Sequence, residues 1–350
     1  MKVDFIIVGQ GLAGTLLAHK LISLGKSVVV FDDPAQVKAS DVAAGLINPI
    51  VFRRMNKSWL VDEAFPEMES TYSALEKLLD EQFYYPGKIL RILHEDESEF
   101  WKEKVFANQL TKYIDAETNY KSMRYIDAPH GFGVIKYAGR LDMQKLTFSY
   151  SGFLQKQQFL RKEKFNFDKL HVGIELVSYE DLTAEKIIFC EGASTSRNPY
   201  FENLKFKHSK GEILELKIPD LHLEDILSSN VFVMPVGNHH FKVGATYSWD
   251  HLDEQTTEQA RTELLYKLKN VATAPSEIID QKAGIRPTMH DRKPVIGLHP
   301  NFPQIGIFNG LGPKGALLGP YFASQFAQFL CNLSTSILPE ADIERYFRRK

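Results

Sequence analysis

The stretch that most constrains this chain is Gly9-Gln10-Gly11-Leu12-Ala13-Gly14. It sits between an apolar run at Val3–Val8 and a helical pattern over Leu12–Leu24, and a second apolar run follows at Ser27–Phe31. Two short strands joined by a helix within about thirty residues form a βαβ unit, which requires a parallel sheet. Gly9 permits a tight turn, Gly11 lets a pyrophosphate approach the backbone, and Gly14 lets helix and strand pack closely. Leu12 and Ala13 open the helix, whose unpaired N–H groups face a phosphate. Asp32 ends the second strand 23 positions after Gly9, where a carboxylate accepts hydrogen bonds from ribose hydroxyls. Asp33, one residue past the expected strand end, is a second candidate that reads more readily as a solvated loop carboxylate. A packing-only role for the glycines would leave the placement of strand, helix and acid to coincidence.

Beyond this unit the texture alternates. A loop over 33–49 leads to a helix over Trp59–Gln82, with Leu75, Leu78 and Leu79 at helical spacing. A strand in Lys88–Leu93 and a helix over Glu97–Leu110 follow. A strand at Gly133–Tyr137 runs into a turn at Gly139–Asp142, with Asp142 capping a helix that reaches about Gln158. Lys186–Cys190 is a short apolar run feeding the turn Glu191-Gly192-Ala193. Leu204–Trp249 shows period-2 runs broken by Pro and Gly, the pattern of an antiparallel sheet. A helix over Thr256–Asn270 and a strand near Ile278–Ala283 come next. The end returns to α/β texture with a strand at Ile305–Phe308, a glycine-rich turn and a helix over Gly315–Leu330. The fold expected is α/β: a discontinuous Rossmann-type domain over 1–82, 140–204 and 284–350, interleaved with an antiparallel-sheet substrate domain over 83–139 and 205–283.

Composition narrows the function classes. With 44% hydrophobic and 25% charged residues in 350, the chain is globular rather than disordered or fibrous. Its 42 basic and 44 acidic side chains leave a formal charge of −2, so a nucleic-acid role would need a local basic patch. Two cysteines, Cys190 and Cys331, with no Cys/His cluster, argue against disulfides or a metal site and for a reducing cytoplasm. Residues 5–18 are uncharged but follow Asp4 and lack a clear cleavage site, unlike a secretion signal. The uncharged run between Lys314 and Glu340 contains Pro320, Gln325, Gln328 and Asn332, which suits a buried helix better than a membrane span.

An NAD dehydrogenase would continue with further βα units. A break into antiparallel strands followed by a closing glycine turn favours FAD. Six separated pieces then carry a resemblance: GQGLAG with Asp32, Ala43-Ala44-Gly45-Leu46, Lys210-Gly211-Glu212, Val243-Gly244-Ala245-Thr246, Ala283-Gly284-Ile285-Arg286-Pro287, and Asn309-Gly310-Leu311-Gly312-Pro313-Lys314-Gly315. On them the chain resembles the FAD-dependent D-amino-acid oxidase superfamily, near glycine oxidase and the oxidase domain of the bifunctional enzyme that matures a wobble-uridine modification of tRNA.

The resemblance implies specific roles. Ala44, Gly45 and Leu46 meet the flavin, and Gly192 belongs to the same cofactor domain. Gly312, Pro313, Lys314 and Gly315 open a helix aimed at the flavin pyrimidine edge. Lys314 adds a positive charge there, or else is a solvated loop lysine. Arg286 holds the substrate carboxylate with two parallel N–H donors, the alternative being a salt bridge between domains. The reaction implied is hydride transfer from the substrate α-carbon to non-covalent FAD, leaving an imine that water hydrolyses, with oxygen or another acceptor taking the electrons. Neither cysteine lies where sarcosine-oxidase relatives attach flavin covalently. Phe232 stands where glycine oxidase-like sequences have a tyrosine. Tyr247 is a possible replacement or an ordinary core aromatic, and His239 and His240 read as surface residues.

Arg53, Arg54 and Lys57, beside Trp59, suit an anionic substrate or a nucleic-acid phosphate, or else pair with Asp62 and Glu63. Arg345, Arg348, Arg349 and Lys350 form a basic tail that suits a helix end. Three functions follow in order: an oxidoreductase acting on the C–N bond of a small amino acid or N-substituted glycine, a tRNA wobble-uridine-modifying FAD oxidase, and a flavoprotein subunit of a larger dehydrogenase.

Overall fold

The computed structural model describes residues 1–120 and 123–347. One sheet carries five parallel strands in the order Leu160–Arg161, Val28–Phe31, Lys2–Val8, Leu182–Phe189 and Phe302–Asn309, with Val295–His299 added antiparallel at the edge. Its central strands are apolar over residues 5–8, Val28–Phe31 and residues 187–189, the stretches where both faces are covered. Phe5 and Ile7 pack with Leu16, Leu17 and Leu21 of the first helix and with Phe322 and Phe326 of the last. Ile6 and Val8 face the other way, onto Phe165, Tyr179 and Phe189.

The second sheet has eight strands in the order Glu277–Arg286, Ser209–Lys217, His240–Gly244, Phe232–Gly237, Ile226–Ser228, Tyr84–Ile92, Phe132–Leu141 and Leu46–Ile47. It is antiparallel except where Ile226–Ser228 pairs parallel with Tyr84–Ile92. Leu214, Leu216, Val233, Phe241 and Val243 pack on its rear face against Leu264 and Leu268 of the helix Glu258–Lys269. Alternate positions therefore point forward. Gly211 and Ile213 on one strand, Gly244 on the next and Gly284 and Arg286 on a third all line a cavity.

Several sequence expectations change. The turn expected at Gly139–Asp142 is strand as far as Leu141, because the glycine there serves close approach rather than a bend. A Cβ on Gly139 would lie 2.4 Å from the Tyr85 carbonyl oxygen. Asp142 does cap the next helix, accepting a hydrogen bond from the Lys145 N–H at 3.1 Å. The loop expected over 33–49 contains a one-turn helix, Ala39–Val42, and the strand Leu46–Ile47, which pairs with Gly139 and Arg140 in the second sheet. The strand expected at 278–283 spans Glu277–Arg286, so Arg286 is a strand residue.

The last helix, Gly315–Leu330, is buried over Gly315–Pro320 and packs on the first helix and the long helix Val61–Leu79. Among the described residues no helix is long and apolar enough to cross a membrane. Arg345 belongs to a short turn, Ile343–Tyr346, where it pairs with Asp291 at 3.1 Å and donates to the Pro294 carbonyl at 2.8 Å, so it pins the C-terminal segment to the sheet edge rather than favouring a helix end. Arg348, Arg349 and Lys350 lie outside the described residues.

Candidate active site

The carboxyl ends of the parallel strands and the front of the second sheet enclose a cavity of about 1490 Å³. This exceeds the roughly 300–1,000 Å³ typical of a site for one small molecule. Gly9, Gly11, Leu12, Ala13, Asp32, Asp33, Ala44, Gly45, Leu46, Gly192, Tyr247, Arg286, Gly312, Pro313, Lys314 and Gly315 all line it, and Gly14 does not. Gly14 serves packing instead: a Cβ there would overlap the Gly9 carbonyl. Gly9 has φ +99°, and a Cβ would sit 2.6 Å from the Cys190 carbonyl oxygen, so the turn cannot hold a larger residue.

At the glycine-turn end, each oxygen of Asp32 has one partner. Its Oδ1 accepts the Gln10 backbone N–H at 3.0 Å, and its Oδ2 accepts the Lys38 Nζ at 2.6 Å. Asp33 accepts the Ala35 N–H at 2.9 Å, closing a turn on the cavity wall. The Leu12 N–H, one of the free donors of the helix start, is held by the buried Ser40 Oγ at 2.9 Å. Lys38 and Ser40 escaped the sequence reading because neither belongs to the glycine motif. Glu191, also on the wall, donates nothing; its Oε2 accepts the Asn198 amide at 2.8 Å, and burial pushes its carboxyl up to about 7.

The middle is built by three turns. The Gly45 carbonyl accepts the Leu141 N–H at 2.9 Å, which ties the Ala44–Leu46 segment to the second sheet. The buried Asn309 amide donates to the Gly192 carbonyl at 2.9 Å and to Thr195 Oγ1 at 2.6 Å, while its Oδ1 accepts the Gly310 N–H at 2.7 Å. One side chain thus links the Gly192 turn to the Gly310–Gly315 turn. Lys314 is no solvated lysine. Its Nζ donates to the Asn48 carbonyl at 3.0 Å and to Ser58 Oγ at 2.6 Å, and burial lowers its pKa to about 8.

At the far end lies Arg286. Its Nη1 and Nη2 donate to the Lys210 and Thr246 carbonyls, both at 3.2 Å, and its guanidinium rests on Gly211, where a Cβ would collide with it. The Tyr247 ring covers the other side at 4.1 Å, a cation–π contact. No ion pair to Arg286 exists among the described residues, which overturns the reading of a salt bridge between domains. Burial holds its pKa below the ordinary arginine value. Tyr247 is not a core aromatic: it is 53% exposed and stacks on Trp249, itself 54% exposed. Phe232 lines the same end, whereas His239 and His240 do not.

The basic loop divides. Lys57 pairs with Asp62 at 2.8 Å, as expected, but that carboxylate is shared with Lys112 at 2.9 Å, and Glu63 takes none of the three cations. Arg53 and Arg54 are exposed and make no ion pair among the described residues, while the adjoining Val51 and Phe52 line the cavity. Among the described residues no group of three or more His, Cys, Asp and Glu side chains is placed to hold a metal ion.

Three comparisons with known proteins bear on this geometry. An uncharacterized oxidoreductase, YurR, of Bacillus subtilis (strain 168) is 23% identical over 95% of this chain and 96% of its own. The tRNA 5-methylaminomethyl-2-thiouridine biosynthesis bifunctional protein MnmC of Marinobacter nauticus is 21% identical over 99% of this chain, which spans 59% of that longer protein. The crystal structure of glycine oxidase from Geobacillus kaustophilus superimposes with a TM-score of 0.81 at 16% identity, covering 96% of both chains, a likeness of fold. The family of FAD dependent oxidoreductases designated DAO matches residues 4–329, nearly the whole length, and the chain belongs to that family: it is an FAD-dependent oxidoreductase.

Proposed function

We propose that this enzyme oxidises the C–N bond of a small amino acid or N-substituted glycine, with Arg286 as the clamp for the substrate carboxylate. The observation that carries the reading is the state of that guanidinium. It is half-buried on the cavity wall, held by two backbone carbonyls, and has no carboxylate of the described residues paired with it. A buried charge without a partner is costly, and its remaining donors are matched to a planar anion entering from the cavity.

The residues present fit FAD. A close-packed glycine turn, the helix start at Leu12, Asp32 for ribose hydroxyls, and the segments around Gly45, Gly192 and Gly312 follow one wall of a cavity large enough for a dinucleotide and a small substrate. FAD, when bound, supplies the acceptor for the two electrons lost from the C–N bond. The protein's own part is positional. Arg286 fixes the carboxylate, Tyr247 and Gly211 hold the guanidinium plane, and Phe232 and Ile213 keep the surrounding wall apolar. Lys314 holds the Asn48 carbonyl and the Ser58 hydroxyl against the start of the last helix and sets a positive charge on the wall. The reading places the enzyme in the reducing cytoplasm, since both cysteines are free thiols.

An anaerobic screen of glycine, sarcosine, proline and D-amino acids tests the proposal by bleaching of the flavin absorbance. Bleaching by at least one carboxylate-bearing amine, lost in Arg286→Leu while flavin is retained, supports the clamp. Unchanged turnover in that variant removes it.

A second reading is favoured by the exposed arginines on the rim: the N-substituted glycine is carried on a tRNA nucleoside. Arg53 and Arg54 lie on the turn next to cavity-lining Val51 and Phe52, and the exposed Tyr247–Trp249 pair offers a stacking platform at Arg286. This reading requires tRNA binding that weakens as salt rises and is lost in Arg53→Ala/Arg54→Ala. Binding no stronger than that of an acidic control protein excludes it.

A further inference from the structure

Asp32 belongs to the glycine-motif pattern, but Lys38 does not, and the structure sets the two in contact. Lys38 Nζ lies 2.6 Å from Asp32 Oδ2, and the side chains are only 21% and 12% exposed. The other carboxylate oxygen is taken by the Gln10 backbone N–H. Both residues line the cavity beside the helix start, within the stretch where Ser40 Oγ receives the Leu12 N–H. Asp41 fixes the approach: its Oδ2 accepts the Lys38 backbone N–H at 3.2 Å, and its own N–H donates to the Lys38 carbonyl at 3.0 Å.

A dinucleotide needs contradictory charges in this corner. The ribose hydroxyls call for a carboxylate, while the neighbouring diphosphate carries two negative charges that a carboxylate repels. The rest of the wall carries both signs, with Asp33, Glu163, Asp168 and Glu191 beside Lys164, Lys169 and Arg197, so the repulsion from Asp32 itself has to be relieved locally. An ammonium clamped on Asp32 removes the conflict, because a carboxylate oxygen has two lone pairs and accepts a ribose hydroxyl while keeping its cation.

We propose that Lys38 is a cofactor-binding residue that neutralises Asp32, so that one acidic corner accepts both the ribose and the diphosphate of FAD. The inference rests on FAD as cofactor and is independent of which amine is oxidised.

The test is binding to the full-length protein freed of flavin, read by quenching of flavin fluorescence for FAD and riboflavin and by competition for ADP. Lys38→Met should weaken FAD and ADP about tenfold each and leave riboflavin, which lacks the adenosine diphosphate, within a factor of two. Lys38→Arg should restore most of the affinity. In the Asp32→Asn background the Lys38→Met change should cost less than threefold, because the negative charge it compensates is already gone. Equal weakening of riboflavin and FAD would show that Lys38 merely props the Lys38–Val42 segment, and FAD affinity unchanged in Lys38→Met would remove the role altogether. An Asp32→Asn background that leaves the tenfold cost intact would also overturn it, since Lys38 would then be acting on the phosphates without reference to Asp32.

Discussion

The two ends of the cavity treat buried charge in opposite ways. At the glycine-turn end, Asp32 has a partner for each oxygen, Gln10 N–H on one and Lys38 on the other. Away from that end, Lys314 in the middle and Arg286 at the far end are half-buried cations held, among the described residues, by neutral acceptors: the carbonyls of Lys210, Thr246 and Asn48 and the Ser58 hydroxyl. A satisfied charge stabilises a fixed shape, whereas an unmatched one lowers the cost of bringing an anion into the site. The first arrangement suits a resident cofactor and the second suits a substrate that must come and go.

The largest expected effect lies at the unmatched end. Arg286→Leu removes a two-donor fork from a half-buried position on the cavity wall, and kcat/KM for a carboxylate substrate should fall roughly 10²–10³-fold. The FAD dissociation constant should stay within about threefold, because Arg286 stands apart from the glycine turn. Arg286→Lys should recover only part of the loss, since a single ammonium cannot match two carboxylate oxygens at once. Steady-state kinetics beside flavin titration separates the two ends. A loss of FAD affinity as large as the kinetic loss would break the division.

Gly14→Ala attacks the other end. The new Cβ would overlap the Gly9 carbonyl, so strand and helix must separate. Overpacking of this kind costs about 1–3 kcal/mol. The apoprotein Tm should fall and FAD should bind more weakly, although Gly14 itself lines no part of the cavity. A variant with parental Tm and affinity would show that the close packing is not needed to shape the turn.

The same contrast explains what the sequence revealed. The glycine turn and Asp32 lie within a single βαβ unit, so spacing alone located that end. The Arg286 end is assembled from Gly211, Thr246, Tyr247 and Arg286, brought together by adjacent strands of the second sheet. No local period announces such a meeting, and only the resemblance singled out Arg286. Gly139 was misread because a glycine needed for close strand approach has the same letter as one needed for a turn. Lys38 and Ser40 were invisible because their value lies in what they touch, Asp32 and the Leu12 N–H, rather than in their spacing. The pairing of Leu46–Ile47 with Gly139 and Arg140 was hidden for another reason: a two-residue strand is too short to show a period.

Lys314 offers a test through pH. Burial lowers its pKa from 10.5 to about 8, roughly 3 kcal/mol of preference for the neutral amine. The unfolded chain therefore binds more protons than the folded one between pH 8 and 10.5, and stability rises with pH across that window. Lys314→Met should make the apoprotein more stable than the parent at pH 7, by up to that amount less the lost bonds to Asn48 and Ser58. The advantage should shrink steadily toward pH 10.5, as read from thermal melts. A constant difference across the window would mean that the ammonium is not penalised, and that the wall around Lys314 is less starved of negative charge than its geometry implies.

The smallest effect belongs to Glu191, the half-buried acid near the paired end, and its pH dependence has the opposite sign. Burial raises its pKa from 4.5 to about 7, so the folded protein binds more protons than the unfolded chain between those values. Stability is therefore fully present below pH 4.5, declines as pH rises toward 7, and is flat beyond. Glu191→Gln keeps an oxygen for the Asn198 amide but adds an N–H₂ group that needs its own acceptor, so about 1–2 kcal/mol net should be gained at pH 8. Near pH 4.5, where the parent carboxyl is neutral in the folded protein, the gain should give way to a loss of about 1–2 kcal/mol from the unpaired N–H₂ group. Melts at these two pH values decide it. A gain that persists at pH 4.5 would trace the effect to packing around Asn198 rather than to charge, and Glu191 would then count with the satisfied groups of its end instead of standing as the exception among them.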